Sequence, residues 1–530
     1  MSRVVVSFAG LVDALERLLG ADHVSTNPDR LELASSDFSE IRLSRAAVLV
    51  QPGTTADVAE LLKLASVATV PVVVRGGGMS YTLGYAPRDA TAILIDMSRF
   101  DQIEINEDSR ILTVGAGTSW ASIDAALAGT GLALRFRGTL SGSRATVGGG
   151  LGNNATGLGQ GDISNDLLGI EVVLPDSRVI QTGARAIDPD LPGVRHSSPD
   201  LTGLFINDAG VFGVRTKVSF RLSRAFSCVS SAVFTFDEPE PLVEAMCAAS
   251  RLDIASEIMS FCNYHHRVFA AQPGASGKEA KRLAQAIGRQ AGGGLRGALR
   301  LARLLNPRAL TGLVDAPYSV MINCDAFDAV TANRHIRAIS RIVRRFGGKR
   351  KSPALAYGLR AQPFVPISSL ILGMNKECSI PTNCTVPMER ARELQRSAYE
   401  FFARNRSNME RYGVTHTYLM LVLGNSFGME PIIYWKDSVS PLRLNVSAPE
   451  EREALASCPA RPEARAFALD LRQRLVSEVC DPLRGAHFQL GKFYPLKTAL
   501  ASPDNWTILQ DIKDVVDAKG LMNPGGLGMG

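Results

Sequence analysis

The sequence lacks long apolar runs. No stretch of its 530 residues approaches the ~18–20 uninterrupted apolar residues that a membrane-spanning helix needs. Near the start, Asp13, Glu16 and Arg17 stand where a secretion signal would be apolar. These absences predict a cytoplasmic protein.

Cysteine and histidine are also scarce. The chain has eight cysteines and seven histidines, and they form neither a CxxC pair nor a cysteine–histidine spacing typical of a metal site. At this low density, the cysteines are expected to be reduced and mostly buried thiols. The pattern therefore excludes a disulfide framework, and we predict no metal site.

Composition otherwise places the chain among ordinary globular proteins. Hydrophobic residues make up 45% and charged residues 21%, close to the averages for folded domains, which excludes disorder, collagen and coiled coil. At roughly 100–200 residues per domain, this length predicts at least two domains.

Positive charge is concentrated in residues 273–351. This segment holds sixteen Lys and Arg but only four acidic residues, so its net charge is +12, whereas the rest of the chain is −6. The segment could form the solvated faces of surface helices. It could also contact an anionic membrane surface on the inner face, or an acidic electron-transfer partner. Nucleic acid is not expected, because no nucleic-acid-binding motif accompanies the charge.

Hydrophobic patterning divides the chain near residue 222. Before that point, short β-branched strands alternate with helices: a strand over 46–53, a capped helix over 54–65, strands over 70–78 and 92–96, hairpins over 102–116 and 170–183, and a strand over 214–222. After it, longer helices (239–251, 328–346, 388–405, 463–479) separate strands such as 318–327 and 415–423. We predict an α+β fold with a second domain built on an antiparallel sheet that carries helices on one face.

Two glycine-rich segments stand out in the first part. Residues 75–81 read Arg-Gly-Gly-Gly-Met-Ser-Tyr directly after an apolar strand. Glycines let backbone N–H groups converge on an anion, although a tight turn at a strand end would use the same residues. The segment matches neither the dinucleotide fingerprint of Rossmann domains nor a P-loop.

The second segment, residues 138–161, contains many more glycines, interleaved with Asn and Thr. So many glycines cost conformational entropy, unless the backbone must pass close to another group. A bound ligand explains this composition better than a turn does.

Together, these segments resemble the FAD-linked oxidoreductases of the vanillyl-alcohol oxidase/p-cresol methylhydroxylase superfamily, in particular its D-lactate dehydrogenase and glycolate oxidase branch. The resemblance extends to residues 161–183, residues 205–222 and two C-terminal segments, His487 to Tyr494 and Asp517 to Gly525. It implies an FAD-binding domain of the p-cresol methylhydroxylase type over residues 1–222, completed by residues 495–530. Residues 223–494 would form a cap that binds the substrate.

The resemblance also implies FAD contacts along the chain. The first loop would supply Arg75, Gly76, Gly77, Gly78, Met79, Ser80 and Tyr81. The second would supply Thr139, Leu140, Ser141, Thr146, Gly148, Gly149, Gly150, Asn153 and Gly157. Further contacts would come from Gly210, Gly213, Val214 and Asn523.

Three positions depart from the family pattern. Met79 stands where some relatives carry the histidine that attaches FAD covalently, so we expect FAD to be non-covalent at this position. Ala209 replaces a frequent glutamate, and the paired-histidine metal motif of some D-lactate dehydrogenases is missing around His416. A metal-assisted mechanism is therefore not expected.

Five residues are candidates for the chemistry. His487 is the first choice for the base that takes a hydroxyl proton, although it could be a buried core histidine. Lys492 and Tyr494 could bind a carboxylate or polarise a phenol, and Arg360 could clamp a carboxylate. His416 is a further candidate for substrate contact. We interpret His196, His265 and His266 as structural.

The implied function is oxidation of a 2-hydroxy acid resembling D-lactate or glycolate, with hydride passing to the flavin. Two alternatives stay open: oxidation of a phenolic or aryl alcohol on the same fold, and a non-catalytic FAD-binding electron-transfer subunit. The electron acceptor could be a quinone, a redox protein or oxygen, and the chain could form a homo-oligomer.

These expectations give a direct test of the cofactor. We expect purified protein to be yellow and to carry one FAD per chain, and the FAD should separate from the polypeptide on denaturation because Met79 cannot form a covalent link. Absorbance of the filtrate and the retentate after denaturation measures this. Flavin retained on the denatured chain would reveal a link elsewhere, and complete absence of flavin after reconstitution would contradict the assignment.

Overall fold

The fold was analysed in a computed structural model that describes residues 8–196, 198–270, 313 and 315–530. Most of the basic segment, residues 273–312 and 314, lies outside the described residues. Among the residues described, no helix is long and apolar enough to cross a membrane.

Two small sheets build the first part of the chain. One has four strands, in the order Val24–Ser25, Val48–Val50, Ile93–Asp96 and Val72–Arg75, and its last three strands are parallel. The other is antiparallel, in the order Val179–Gln181, Leu167–Val173, Val214–Arg221, Ile111–Gly115 and Ile103–Asn106. Two strand pairs lie between them, Leu132–Ala133 with Ser223–Arg224 and Phe136–Gly138 with Leu158–Gly159.

Local sequence signals explain several of these elements. The helix Thr55–Ala68 begins at Thr54, whose side chain accepts a hydrogen bond from the backbone of Asp57, while the Asp57 carboxylate accepts one in return from the backbone of Thr54. This reciprocal pair satisfies donors that a helix start leaves free. The hairpin Leu167–Val173 to Val179–Gln181 turns at Ser177, which adopts a φ of 73°. The predicted capped helix and hairpin are thus confirmed.

An eight-stranded antiparallel sheet dominates the second part. Seven strands follow one another in the order Lys349–Lys351, Cys228–Phe236, Tyr318–Ala326, Glu257–Cys262, Val414–Leu423, Ser426–Trp435 and Cys378–Pro381, and Cys384–Pro387 also pairs with Ser426–Trp435. Helices Pro239–Ser250, Ala329–Arg345, Ala391–Arg404 and Pro462–Leu475 cover one face and share the largest hydrophobic core with it. The predicted α+β class with an antiparallel sheet is confirmed.

The remaining described helices are shorter or connect the sheets. They are Phe8–Leu19, Pro28–Ser35, Trp120–Leu127, Val147–Gly152, Asn263–Ala270, Ala354–Ala361, Ser368–Ile371, Arg406–Tyr412, Pro441–Val446, Pro449–Ala456, Leu496–Ala499 and Pro503–Val516. A π-helical turn, Val476–Cys480, follows Pro462–Leu475 directly.

The C-terminal tail contacts the first sheet. Met522 bridges to Val72, and the backbone N–H of Asn523 donates to the Val72 carbonyl at 2.8 Å. Asn523 also donates through its side chain to the carbonyls of Gly84 and Ala209. The domain boundaries near 222 and 495 stay a prediction, which these contacts support.

A buried ion pair fixes this tail. Lys513 donates to the Asp517 carboxylate at 2.5 Å and to the carbonyls of Val211 and Met522, both at 2.8 Å. Both side chains are almost completely buried. Because the Lys513 ammonium joins the helix Pro503–Val516 to both the tail and residue 211, it holds the chain end against the first domain.

We expect Lys513→Ala to lower the free energy of unfolding by roughly 3–5 kcal/mol, because it leaves the Asp517 charge buried without its partner. Urea denaturation measures the change. The matched control is Lys63→Ala, which breaks an exposed pair with Glu60 and should change stability little. Equal effects of the two substitutions would contradict this role of Lys513.

Candidate functional site

The two glycine segments meet backbone to backbone. A Cβ placed on Gly77 would lie 1.7 Å from the carbonyl oxygen of Arg144, and a Cβ on Gly76 would lie 2.3 Å from Oγ1 of Thr146. Both distances are far inside van der Waals contact. Because the Arg144 carbonyl is backbone, no side chain larger than hydrogen fits at Gly77, whereas at Gly76 the Thr146 side chain would have to move. The close approach explains why the first loop needs glycine there.

A cleft opens beside this contact. Most of its walls come from three chain segments: residues 76–80 with Gly84 and Tyr85, residues 139–155, and Ala209 with Gly210. Lining residues from the second segment include Thr139, Ser141, Thr146, Gly148, Gly149, Gly150 and Asn153. Glycines and small polar residues therefore make up much of the lining of the cleft.

Positive charge lies next to the cleft. A Cβ on Gly78 would lie 2.2 Å from the Arg75 guanidinium, and Arg75 pairs with Asp96 at 3.5 Å. Burial, together with Arg75, lowers the pKa of Arg144, and Oδ1 of Asn153 is buried without a hydrogen-bond partner among the described residues. Glycine-rich backbone beside the guanidinium groups of Arg75 and Arg144 suits an anionic diphosphate. The residues present therefore fit the diphosphate of a dinucleotide cofactor.

A second cavity of about 190 Å³ adjoins the cleft. Met79, Thr139, Ser141 and Gln489 line both spaces. Strands of the large sheet supply much of its apolar wall: Met259, Phe261, Leu419, Leu421, Ile432 and Tyr434. Phe38, Leu140, Leu370, Ile371 and Phe488 complete that surface.

Strand alternation decides which residues reach this cavity. On Val414–Leu423, Leu419 and Leu421 line the cavity, whereas Tyr418 and Met420 pack into the core beneath the helices. Because side chains alternate between the two faces of a strand, His416 points to the same face as Tyr418. Its ring stacks on that of Phe402 in the helix Ala391–Arg404, with the ring centres 3.9 Å apart. The structure thus places His416 on the helix side of the sheet and does not bring it to the cavity.

Three polar side chains face the cavity from its apolar wall. The Tyr81 hydroxyl donates to Glu430 at 2.8 Å, and burial raises the pKa values of both groups. Burial lowers the pKa of His265 to about 4, and its Nε2 has no hydrogen-bond partner within the described parts of the chain. Our interpretation of His265 as merely structural is therefore incomplete, because the side chain lines this cavity.

Glu430 is a site residue that the sequence analysis missed. A signal was present, because a single carboxylate stands in the otherwise apolar strand Ser426–Trp435. Glu430 also lies on the same face of its strand as Ile432 and Tyr434, which line the cavity.

His487 lies in a buried network; its neighbour Phe488 lines the cavity, but His487 itself is not among the lining residues. Its Nδ1 is 2.6 Å from the carbonyl oxygen of Asn383, so Nδ1 carries the proton and Nε2 is the free acceptor. That Nε2 is buried without a partner in the part of the chain that the structure describes. Burial lowers the pKa of His487 to about 4, which keeps the ring neutral near pH 7.

Tyr494 and Arg472 complete this network. The Tyr494 ring stacks on His487 at 4.0 Å, and its hydroxyl accepts a hydrogen bond from the backbone of Asn383. Arg472 is wholly buried, donates to the Tyr81 carbonyl at 3.1 Å and lies over Phe493 at 3.7 Å. No carboxylate among the described residues pairs with this guanidinium, so its positive charge acts on both tyrosines.

Lys492 has a different environment from its neighbours. Its ammonium donates to Oδ1 of Asn523 at 2.5 Å and to the carbonyls of Leu83 and Gly84. Burial, helped by Arg88, lowers the pKa of Lys492 to about 7. These contacts help to hold the tail and bring Asn523 beside the cleft, and the predicted substrate role of Lys492 stays a prediction.

Other predicted residues are spread around the site. Leu140 and Gly157 line the second cavity, and the Ser80 hydroxyl donates to Asp37 at 2.9 Å. Gly213 and Val214 lie at the start of the strand Val214–Arg221 and do not line the cleft. Arg360 pairs with Glu257 and Asp325, away from both cavities. The roles of all these residues stay predictions.

The cleft fits a dinucleotide cofactor, and the comparisons with known proteins identify FAD as that cofactor. A protein family described as FAD binding domain matches residues 46–183. A D-lactate dehydrogenase of Archaeoglobus fulgidus is 29% identical over 223 residues, which cover 41% of this chain and 48% of that protein. The chain thus spans about half the length of the curated relatives that it matches.

Two solved structures share the fold over nearly the whole chain. The 4-ethylphenol oxidase of Gulosibacter chungangensis matches with a TM-score of 0.74 and 16% identity, covering 100% of this chain and 99% of its own. A p-cresol methylhydroxylase with substrate bound matches with a TM-score of 0.74 and 15% identity, covering 98% and 97%. The solved structures show the two-domain fold, and the family match together with the D-lactate dehydrogenase shows FAD as cofactor. Both findings agree with the predicted resemblance to the vanillyl-alcohol oxidase/p-cresol methylhydroxylase superfamily.

The cleft gives a test that separates cofactor binding from folding. Gly149 lines the cleft, and a Cβ there would meet only Oγ1 of Thr146, at 3.3 Å. We expect Gly149→Val to weaken FAD binding at least tenfold, because the side chain fills space beside the backbone amides, while the apoprotein still folds. Fluorescence titration of the apoprotein with FAD measures the affinity.

The matched control is Gly203→Ala, which lies outside the cleft and has open space around its Cβ position. It should bind FAD as the wild type does. Unchanged FAD affinity of Gly149→Val would remove this glycine from the cofactor site.

Proposed function

We propose that this protein is an FAD-dependent oxidoreductase that oxidises an alcohol carbon, with the flavin in the glycine-lined cleft and the substrate in the adjoining cavity. The observation that carries the proposal is the shared wall, because Met79, Thr139, Ser141 and Gln489 line both spaces. Bound FAD supplies the hydride acceptor. A purely electron-transferring subunit would have no need for a second, apolar cavity at this place.

The lining of the cavity favours an uncharged aryl alcohol as substrate. Aromatic rings of Phe38, Phe261, Phe488 and Tyr434 surround the space, and they suit packing against another ring. Among the described residues that line the cavity, none is a lysine or arginine, whereas Glu430 is acidic. A carboxylate buried there would lack a counter-ion and would meet a like charge.

A 2-hydroxy acid is the second candidate. It is favoured by the similarity to the D-lactate dehydrogenase of Archaeoglobus fulgidus. The guanidinium of Arg472, which donates to the carbonyl of Tyr81, would offset a substrate carboxylate.

Two arrangements of this chain can accept the hydroxyl proton. Neutral His487 offers a free Nε2 whose orientation is fixed by the Asn383 carbonyl. Alternatively, Tyr81 relays a proton along its hydrogen bond to Glu430. In either case, Arg472 offsets negative charge that develops on the tyrosines or the substrate.

Substrate class is tested by anaerobic reduction of the bound flavin. We expect aryl alcohols to bleach the flavin absorbance, because the cavity is apolar and aromatic, and we expect D-lactate and glycolate to reduce it at least tenfold more slowly. A stopped-flow panel of these compounds measures the rates. Faster reduction by the hydroxy acids would reverse the order of the two candidates, and reduction by none would favour the electron-transfer alternative.

The base is tested by comparing His487→Ala with Glu430→Gln. Removal of the true base should slow flavin reduction by about 10²-fold or more while FAD stays bound. The control is His196→Ala, an exposed histidine. A stable His487→Ala variant with the wild-type rate would exclude His487.

The pH dependence separates the same two groups. Because the pKa of His487 is about 4, a histidine base stays unprotonated and the rate should be flat from pH 8 to about pH 5. Burial raises the pKa of Glu430 above its usual range, so a glutamate base would become protonated, and the rate would drop, at a higher pH than with a histidine base. That drop should disappear in Glu430→Gln.

A further inference from the structure

A third cavity lies outside the proposed cofactor and substrate spaces. This open groove of about 590 Å³ runs between the helix Trp120–Leu127 and the paired strands Leu132–Ala133 and Ser223–Arg224. It shares no lining residue with the cleft or the second cavity. Its volume lies within the ~300–1,000 Å³ of small-molecule sites.

The groove carries an excess of positive charge. Four arginines line it (Arg135, Arg137, Arg224 and Arg360), against two aspartates, Asp124 and Asp325. Arg360 is neutralised, because it pairs with Glu257 at 3.3 Å and with Asp325 at 2.7 Å.

The other three arginines are incompletely compensated. Arg137 donates to the carbonyl of Arg360 at 3.4 Å and lies 3.7 Å from the half-exposed Asp124. Among the described residues, the Arg135 guanidinium donates only to the side-chain oxygen of Gln160, at 3.2 Å. In the described parts of the chain, the guanidinium groups of Arg135 and Arg224 form no ion pair with a carboxylate. An anion in the groove would relieve the repulsion between these groups.

Apolar side chains form the rest of the groove. Leu127, Leu132, Leu134 and Phe136 line the side toward the first domain, and Phe226 and Val229 line the opposite side. The Arg135 guanidinium lies 4.3 Å from the centre of the Phe226 ring, so an apolar wall and a charged group occur at the same place. Such a surface matches a ligand with one charged end and an apolar body.

We infer that this groove is a separate binding site for an organic anion that has a single acidic head group, a carboxylate or a phosphate monoester, on an apolar chain or ring. The arginines hold the head group, and the leucines with Phe226 cover the body. Apart from Arg360, the predicted carboxylate clamp, which pairs with Glu257 and Asp325, the site uses none of the residues assigned to FAD or to the alcohol substrate. It therefore does not depend on the proposed reaction.

Calorimetric titration of the FAD-loaded protein tests this inference. The probes are octanoate, octyl phosphate and octanol. We expect the anions to bind at least tenfold more tightly than octanol, and the two anions distinguish a carboxylate site from a phosphate site. Equal binding of octanol, or no binding of either anion, would overturn the inference.

Substitutions in the groove test whether the anion binds there. The double variant Arg135→Gln/Arg224→Gln should weaken binding of the preferred anion at least tenfold. The control Arg334→Gln/Arg337→Gln removes the same charge from exposed positions outside the groove and should bind as the wild type does. Ser227→Glu, which adds a carboxylate to an exposed lining position, should weaken binding several-fold even if the double variant is unstable.

Flavin content and melting temperature verify that each variant folds. Anion binding that is unchanged in the groove variants but displaced by an alcohol that reduces the flavin would place the anion in the second cavity and overturn the inference. Failure of the alcohol to reduce the flavin would affect only the proposed reaction.

Discussion

The approach of the two glycine segments is the constraint on which the rest of the site depends. The chain at Gly77 lies so close to the Arg144 carbonyl that even a methyl group would overlap it. This contact fixes the exit of the strand Val72–Arg75 against the start of the helix Val147–Gly152, and the cleft opens beside it. A cofactor that needs backbone amides from two distant segments can be held only where both segments lie this close together.

The tail and the large sheet are arranged around the same place. Lys492 and Asn523 hydrogen-bond to each other and to the carbonyl of Gly84, which lines the cleft. Helices cover one face of the large sheet, and the other face supplies part of the cavity wall. Whether a side chain of the cap reaches the cavity therefore depends on which face of its strand it occupies: Glu430 reaches the cavity, and His416 does not.

Much of the first domain could be predicted from the sequence because its signals are local. The capping pair at Thr54 and Asp57, the turn at Ser177 and the glycine segments each depend on a few neighbouring residues. Positions in the cap were harder to predict. The strand Glu257–Cys262, which precedes His265, pairs with Val414–Leu423 far along the chain, and that strand forms a hairpin with the strand that carries Glu430. Sequence pattern alone does not give the register of the long-range pair. The burial of Arg472 depends in the same way on Tyr81 and Phe493, far away along the chain.

The central claim is that FAD occupies the cleft between the glycine segments. Hydrogen–deuterium exchange of the apoprotein, with and without FAD, tests it most directly, because backbone amides are the proposed contacts. If FAD occupies the cleft, it should protect residues 76–85, 139–153 and 209–210 from exchange and cause little change in the helix Ala329–Arg345. Protection confined to other segments, or none in either glycine segment, would contradict it.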